Sequence, residues 1–252
     1  MVLKDNSKRV LIGLPTSNHK QYCQKEFIEN IKAFTYPNFF CLIVDNSLTD
    51  ENFKLLKEMT KGDSRFEIVF RKNKNPKTPI RELIFDCTQY IYEYFFEKNF
   101  DIWFSLESDV FPPINCIEHM LAVGKHVIGL PYLHFQRKET RLLNSEIRTV
   151  RGIQFSEYLT PLQAICFVDG KVKKGFQTGI GCMMFSKAVL KRIKIRMGDK
   201  ETNEIGLGSP PDYFIHSDLY AQNIPVYLDT RIIAIHRNSR DKWDKIEKSI
   251  SS

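Results

Sequence analysis

The chain has 252 residues, 42% of them hydrophobic and 27% charged, with a formal net charge of +7. That length suits one large α/β domain or two small ones, and that composition excludes an intrinsically disordered chain. No apolar run approaches the ~20 residues that span a bilayer, and the polar first ten residues show no signal-peptide core, so a cytosolic protein without a transmembrane segment is expected. The positive balance suits anionic partners such as nucleotides, phosphorylated lipids or a membrane surface, and equally suits plain solubility. No Arg-rich run with interleaved aromatics supports nucleic-acid binding. Cys23, Cys41, Cys87, Cys116, Cys166 and Cys182 form no CxxC pair, which counts against a zinc knuckle or a thioredoxin-type centre. They read as reduced, buried small hydrophobes.

In chain order, Val10-Leu11-Ile12-Gly13-Leu14 predicts a buried strand ending in a polar turn over 15–18. Phe27, Ile28, Ile31 and Phe34 stand at helical spacing and predict a helix over 22–34. Residues 39–44 predict a second buried strand closed by Asp45-Asn46-Ser47, residues 52–59 a helix, and residues 66–70 a third strand. A long amphipathic helix follows over 80–96, with Arg81 in its first turn. The next apolar run predicts a strand over 101–107; it leads into Glu107-Ser108-Asp109 and is stopped by Pro112-Pro113. Strand and helix alternating in this way give a doubly wound α/β fold with a mostly parallel central sheet flanked by helices. The polar residues at the strand ends then collect in one crevice. Pro15, Thr16, Asp45, Glu107 and Asp109 all occupy such ends.

The second half is less regular. Residues 114–123 read as a helix and 127–130 as a strand. Residues 133–160 carry Arg137, Lys138, Arg141, Arg148 and Arg151, and read either as a lid or acceptor-binding excursion or as solvated surface. Gly179 and Gly181 allow close backbone approach to a ligand, without the third glycine of a dinucleotide fingerprint. Ser186 is placed as the N-cap of a helix to Ile193, and 196–211 as a mobile loop. Asp212 opens a helix over 213–222, where helix-dipole reasons alone also favour an acid. Short extended pieces over 226–229 and 231–235 bring His236 to a strand end before a charged tail over 237–252.

The sharpest chemistry is the acidic pair. Side chains two apart on a strand point the same way, so Glu107 and Asp109 project together from a strand end. Two carboxylates so placed repel unless a cation or a proton joins them. Hard oxygen ligands beside a cleft suit Mg²⁺ or Mn²⁺ shared with a diphosphate. A solvated acidic turn is the other reading of the same residues.

Over roughly residues 8–236 the ordered set of segments resembles the GT-A nucleotide-sugar glycosyltransferases, especially the broad family-two group. Val10 to Thr16 resembles the opening strand and its base-contacting turn. Leu42-Ile43-Val44-Asp45-Asn46-Ser47 resembles the second strand, whose Asp holds the uracil or ribose. Arg81 falls where the family often has a basic residue near the nucleotide. Glu107-Ser108-Asp109 resembles the DXD motif, with Glu in place of the first Asp. Residues 176–185, including Gly179, resemble the segment beside the donor sugar and acceptor. Asp212-Tyr213-Phe214 with Asn223 to Asp229 resembles the Glu-Asp motif and the strand after it. Here Pro211 precedes Asp212, so Asp212 is the only acid at that motif. His236 matches a late His that completes the metal shell in many members.

The resemblance implies a GT-A, Rossmann-like fold in one domain over 1–252, with a nucleotide-sugar-binding half (8–113) and a smaller acceptor-binding half (114–236). It implies a metal-dependent hexosyltransferase-like enzyme moving a sugar from a UDP- or GDP-linked donor to a hydroxyl of a glycan, lipid or protein. Pro15, Thr16, Asp45, Arg81, Glu107, Ser108, Asp109 and Gly179 would bind the donor. Glu107, Asp109 and His236 would hold Mn²⁺ or Mg²⁺. Asp212 would act as base, ionised by the helix N-terminus and giving inversion; Asp218, further along the helix, is a competing base. The basic excursion is compatible with an anionic or membrane-linked acceptor and with peripheral membrane contact. The alternatives are a nucleotidyltransferase, disfavoured because Pro15-Thr16-Ser17-Asn18 has no glycine, a catalytically inactive nucleotide-sugar-binding relative, and a hydrolase.

Overall fold

The computed structural model describes residues 7–136, 139–142, 145–150, 153–158, 168–175, 179–197 and 211–237. The first half alternates as the apolar runs dictate: β1 (Val10–Thr16), a 3₁₀ turn (Asn18–Cys23), α1 (Gln24–Lys32), β2 (Phe39–Asp45), α2 (Glu51–Met59), β3 (Phe66–Phe70), α3 (Ile80–Glu97) and β4 (Ile102–Leu106). These strands are all parallel, in the order 3-2-1-4. The second half supplies β5 (Val110–Phe111), α4 (Cys116–Ala122), β6 (Val127–Gly129), β7 (Leu133–Gln136), β8 (Glu139–Leu142), β9 (Ser145–Val150), β10 (Ile153–Tyr158), β11 (Val172–Gly175), β12 (Cys182–Ser186), α5 (Lys187–Leu190), α6 (Pro211–Ala221), β13 (Val226–Asp229) and β14 (Ile235–His236).

Four of these later strands extend the central sheet to eight, ordered 3-2-1-4-12-6-13-11. β12 lies antiparallel between β4 and β6, and β11 lies antiparallel at the far edge against β13. The rest of the sheet is parallel, as expected for an α/β chain wound in βαβ units. β7–β8 and β9–β10 are separate antiparallel hairpins, so regular structure replaces part of the irregular excursion expected over 133–160. Arg137, Lys138 and Arg151, most of the loop expected over 196–211, Cys166 and the tail beyond residue 237 lie outside the described residues.

The pleat sorts the core onto two faces. Val10, Ile12 and Leu14 of β1 pack with Phe27, Ile28 and Ile31 of α1, Leu56 of α2 and Ile117 and Met120 of α4. Leu11 of β1 and Leu42 and Val44 of β2 pack with Ile91 and Phe95 of α3, Leu190 of α5 and Ile215 and Leu219 of α6. Each face of the sheet is thus packed under helices, and truncating Leu11 to Ala is expected to cost about 2–5 kcal/mol. Gly13 is the point of closest approach: a Cβ there would stand 2.3 Å from Ile91 Cγ2 and 2.8 Å from Trp103 Nε1, so its absence lets α3 settle on the sheet. Cys23, Cys41, Cys87, Cys116 and Cys182 are buried free thiols, as their apolar contexts predict.

Two expected helices are reset by tertiary contacts. The helix predicted from residue 22 begins as the tighter 3₁₀ turn at Asn18 and becomes α1 only at Gln24. The helix predicted after Ser186 is the single turn of α5, and the Ser186 hydroxyl pairs with His126 Nδ1 at 2.9 Å instead of capping it.

Candidate active site

The parallel register brings the carboxyl ends of β1 and β2 side by side, with Thr16 opposite Asp45 and Pro15 opposite Val44. Asp45 is fully buried. Its Oδ1 accepts from the Ser47 hydroxyl (2.6 Å), the Ser47 backbone N–H (3.2 Å) and Asn52 Nδ2 (3.1 Å). Its Oδ2 is buried with no partner among the described residues. Burial raises the Asp45 pKa above its ordinary value, and the bonds from Ser47 and Asn52 pull the other way. The Asn18 N–H donates to Ser47 Oγ at 2.8 Å, so the turn after β1 and the turn after β2 are tied together.

β4 ends at Leu106, one residue before the acidic pair. Glu107 N–H donates to Gly181 C=O (2.8 Å), and Val110 N–H donates back to Glu107 C=O (3.0 Å). The pair therefore sits on a turn, and the turn, rather than strand alternation, brings the carboxylates together. Ser108 is buried in that turn, and the Thr16 hydroxyl donates to its Oγ at 3.1 Å, joining the ends of β1 and β4.

His236 reaches the pair through a long return. Asp229, fully buried at the end of β13, takes Arg231 in a two-pronged bond (2.7 Å from Nε and 2.7 Å from the terminal nitrogen), which fixes the bend after that strand. Ala234 N–H then donates to Pro131 C=O (3.0 Å), and β14 pairs antiparallel with β5, His236 opposite Val110. Tyr132 meets the His236 ring edge-on, with centroids 5.5 Å apart. His236 Nε2 ends 3.3 Å from Asp109 Oδ2 and 4.0 Å from Glu107 Oε2. One ligand atom from each of Glu107, Asp109 and His236 lies within 4.8 Å of the others, a spacing that suits one metal ion.

Asp109 and His236 are almost fully buried, whereas Glu107 keeps 48% of its side chain exposed. Even so, the protein crowded around the Glu107 carboxyl and the neighbouring Asp109 carboxylate push its pKa up, to about 7. Burial acts on Asp109 in the same direction, but the His236 bond and the Lys20 ammonium outweigh it and hold Asp109 below its usual value. Asp109 Oδ2 also accepts from Lys20 Nζ and from the Tyr22 hydroxyl (3.2 Å), while Oδ1 is buried with no partner among the described residues.

Asp212 lies in the first turn of α6, where its Oδ1 accepts from the Tyr213 N–H at 2.9 Å. Its charge is felt at Glu107 and Tyr132, where it raises both pKa values. The expectation that the helix N-terminus lowers its pKa is corrected: burial wins over the backbone donors and raises it. Asp218 is drawn away from the chemistry, held by both terminal nitrogens of Arg196 (2.6 and 2.7 Å) and by the Lys194 N–H (3.1 Å).

The structure thus brings Glu107, Asp109 and His236 within reach of one ion, ties Thr16 to Ser108 in the turn between the two carboxylates, and sets Pro15-Thr16 beside Asp45 at neighbouring strand ends. Arg81 stands half-buried at the start of α3, and Gly179 half-buried before β12, neither bonded to the acidic cluster among the described residues. The close glycine is Gly181: a Cβ there would meet Glu107 Cδ at 2.6 Å and Tyr132 Oη at 2.8 Å. Lys20, Tyr22 and Tyr132 escape a reading by sequence pattern, because their contacts with the cluster are made across the fold. Only their chain position, Lys20 and Tyr22 just beyond a strand's carboxyl end, hinted at the crevice.

No protein-family model and no curated protein matches the chain. Solved structures do. The mannosyltransferase PcManGT from Pyrobaculum calidifontis, in complex with GDP-Man and Mn²⁺, aligns over 95% of this chain and 60% of its own length, with a TM-score of 0.56 at 10% identity. S. aureus TarS 1-349 in complex with UDP-GlcNAc aligns over 92% of this chain and 60% of its own length, with a TM-score of 0.51 at 12% identity. The chain therefore spans about 60% of the length of each of these two proteins. Identity at this level speaks to architecture alone: the chain shares with these proteins a mixed α/β fold built on a mostly parallel eight-stranded sheet flanked by helices.

Proposed function

We propose that the chain is a metal-dependent glycosyltransferase that moves a sugar from a UDP- or GDP-linked donor to an acceptor hydroxyl, with inversion and with Asp212 as the base. The observation that carries this reading is the convergence of Glu107, Asp109 and His236 at the carboxyl edge of the sheet, with Asp109 Oδ1 buried and without a partner among the described residues. A buried carboxylate oxygen without a partner is costly unless something else occupies it. Two carboxylates and an imidazole fit Mn²⁺ or Mg²⁺, and the Glu107-Ser108-Asp109 sequence then takes the part of a DXD motif. PcManGT in complex with GDP-Man and Mn²⁺, and TarS in complex with UDP-GlcNAc, support the choice of donor class and metal.

Asp45, with its free Oδ2, and the adjoining Pro15-Thr16 turn would hold the nucleoside, in the half of the chain over 8–113. A bound divalent ion would supply positive charge where the diphosphate leaving group becomes more negative. Asp212 would take the proton of the attacking hydroxyl; its raised pKa moves it toward the range in which a carboxylate is an effective base. The neighbouring Asp109 and Asp212 charges raise the Glu107 pKa, and a bound cation would offset that repulsion. The half over 114–236 would present the acceptor, a hydroxyl on a glycan, lipid or protein. Among the described residues no helix is long and apolar enough to cross a membrane, so a lipid-linked acceptor would be met at the surface.

Isothermal titration of UDP and of GDP, with and without Mn²⁺, tests the reading. One nucleotide is expected to bind in a manner that needs both Mn²⁺ and Asp109, and Asp109→Ala abolishes it. Absence of metal-dependent binding for both nucleotides removes the proposal. Asp212→Asn is expected to retain that binding and to lose about 10²–10⁴-fold in donor turnover.

A further inference from the structure

Lys20 stands in the 3₁₀ turn after β1, at the lip of the crevice, with 36% of its side chain exposed. Its ammonium donates to Asp109 Oδ2, the same oxygen that meets the Tyr22 hydroxyl and His236 Nε2. Three groups thus crowd one oxygen of a nearly fully buried carboxylate, and its other oxygen has none among the described residues. An ammonium and a divalent ion on one buried carboxylate repel each other strongly where the dielectric is low. The lysine is the one that can leave, since its head is carried on a flexible four-carbon stem and its side chain is partly exposed. Once displaced it needs another anion within reach. Glu107 is the other carboxylate that feels its charge, and Glu107 belongs to the same metal cluster.

We propose that Lys20 is a diphosphate-contacting residue, held on Asp109 until a divalent ion takes that carboxylate and then pairing with the diphosphate of the donor. The inference rests on the nucleotide-sugar reading above. It couples the two ligands: metal alone must expel an ammonium that has no new partner, whereas metal with a diphosphate provides one. The contact is specific to the diphosphate and indifferent to the base.

The test uses the full chain and its Lys20→Met variant, which keeps the stem and removes the charge at a partly exposed position. Mn²⁺ alone, UDP or GDP with Mn²⁺, and UMP or GMP with Mn²⁺ are titrated into both. The variant is expected to bind Mn²⁺ alone about tenfold more tightly and the diphosphate nucleotide about tenfold more weakly, each the equivalent of one charge-assisted contact. Monophosphate affinity should change less than about twofold, and Lys20→Arg should restore the diphosphate affinity. If wild-type protein binds UDP or GDP with Mn²⁺ and Lys20→Met does so equally well, the nucleotide-sugar reading stands and the Lys20 proposal is overturned. An unchanged or weaker Mn²⁺ affinity in the variant overturns it too. If wild-type protein binds neither nucleotide, the nucleotide-sugar reading fails and the diphosphate role falls with it.

Discussion

Asp45, at the end of β2, and Asp109, in the turn after β4, solve the same problem differently. Each is a buried aspartate with one bonded oxygen and one that has no partner among the described residues. Around Asp45 the donors are Ser47 and Asn52, two and seven residues away, all neutral. Around Asp109 the donors Lys20 and Tyr22 come from 89 and 87 residues away, and His236 from another strand pair altogether. The neutral setting leaves the Asp45 pKa raised, and the charged setting leaves the Asp109 pKa lowered. A neutral, locally built pocket suits a group that meets hydrogen-bond donors of a base or ribose. A charged pocket assembled across the fold suits a carboxylate that stays ionised for a cation.

The sharpest way to break that contrast is to neutralise each aspartate in turn. Asp109→Asn is expected to weaken nucleotide binding in Mn²⁺ by at least about 100-fold, since it removes a direct ligand where even outer-shell losses reach 10–100-fold. Asp45→Asn is expected to weaken it about tenfold with or without Mn²⁺. Equal metal dependence of the two losses, read by titration calorimetry, would falsify the division of labour. A smaller effect is expected at Gly181→Ala, whose added methyl meets Glu107 and the buried Tyr132. It should lower Mn²⁺ affinity about tenfold and stability by about 1–3 kcal/mol in denaturant unfolding, and leave the far-UV spectrum unchanged. Wild-type Mn²⁺ affinity in that variant would remove Glu107 from the metal cluster.

Asp218→Asn should be milder still. Its pair with Arg196 is partly exposed, so less than about 1 kcal/mol of stability is at stake, and donor turnover should stay within about threefold of wild type. A collapse of turnover would return Asp218 to contention as the base. The smallest effect is a pH dependence at Asp45. Its folded pKa is raised above the unfolded value of about 3.9. The stability it contributes is therefore fully present below about pH 3.9 and lost as the pH rises through the folded pKa. Asp45→Asn, neutral throughout, should gain in Tm relative to wild type as the pH goes from 3 to 7; a gap that narrows or reverses would place the raised pKa elsewhere.

The contrast also marks where the sequence was legible. The Asp45-Asn46-Ser47 turn, the strand before it and the helix after it follow from residues within a dozen positions, and the structure contains them where the apolar runs end. The pairing of Glu107 with Asp109 was legible too, although the expected cause, side-chain alternation on a strand, gives way to a turn pinned by Gly181. The sign of the Asp212 shift was misread, because the helix N-terminus is visible in sequence and the burial around it is not. Ser186 does stand at the N-cap position, but its hydroxyl turns to His126, 60 residues away, a partner that chain position does not show.

The sequence by itself determined the alternation of buried strands and helices and the acidic pair just after β4, because these depend on hydrophobic period, prolines and the chirality of βαβ connection, all local properties. Only the tertiary structure decided that β12 enters antiparallel beside β4, that β14 returns to β5 to set His236 against Asp109, and that Arg196 withdraws Asp218. It also decided that Lys20 and Tyr22 crowd one oxygen of Asp109, while the other has no partner among the described residues. Those outcomes depend on which distant groups share a desolvated space, and charge and hydrogen-bond energies at 3 Å are set by that space rather than by distance along the chain.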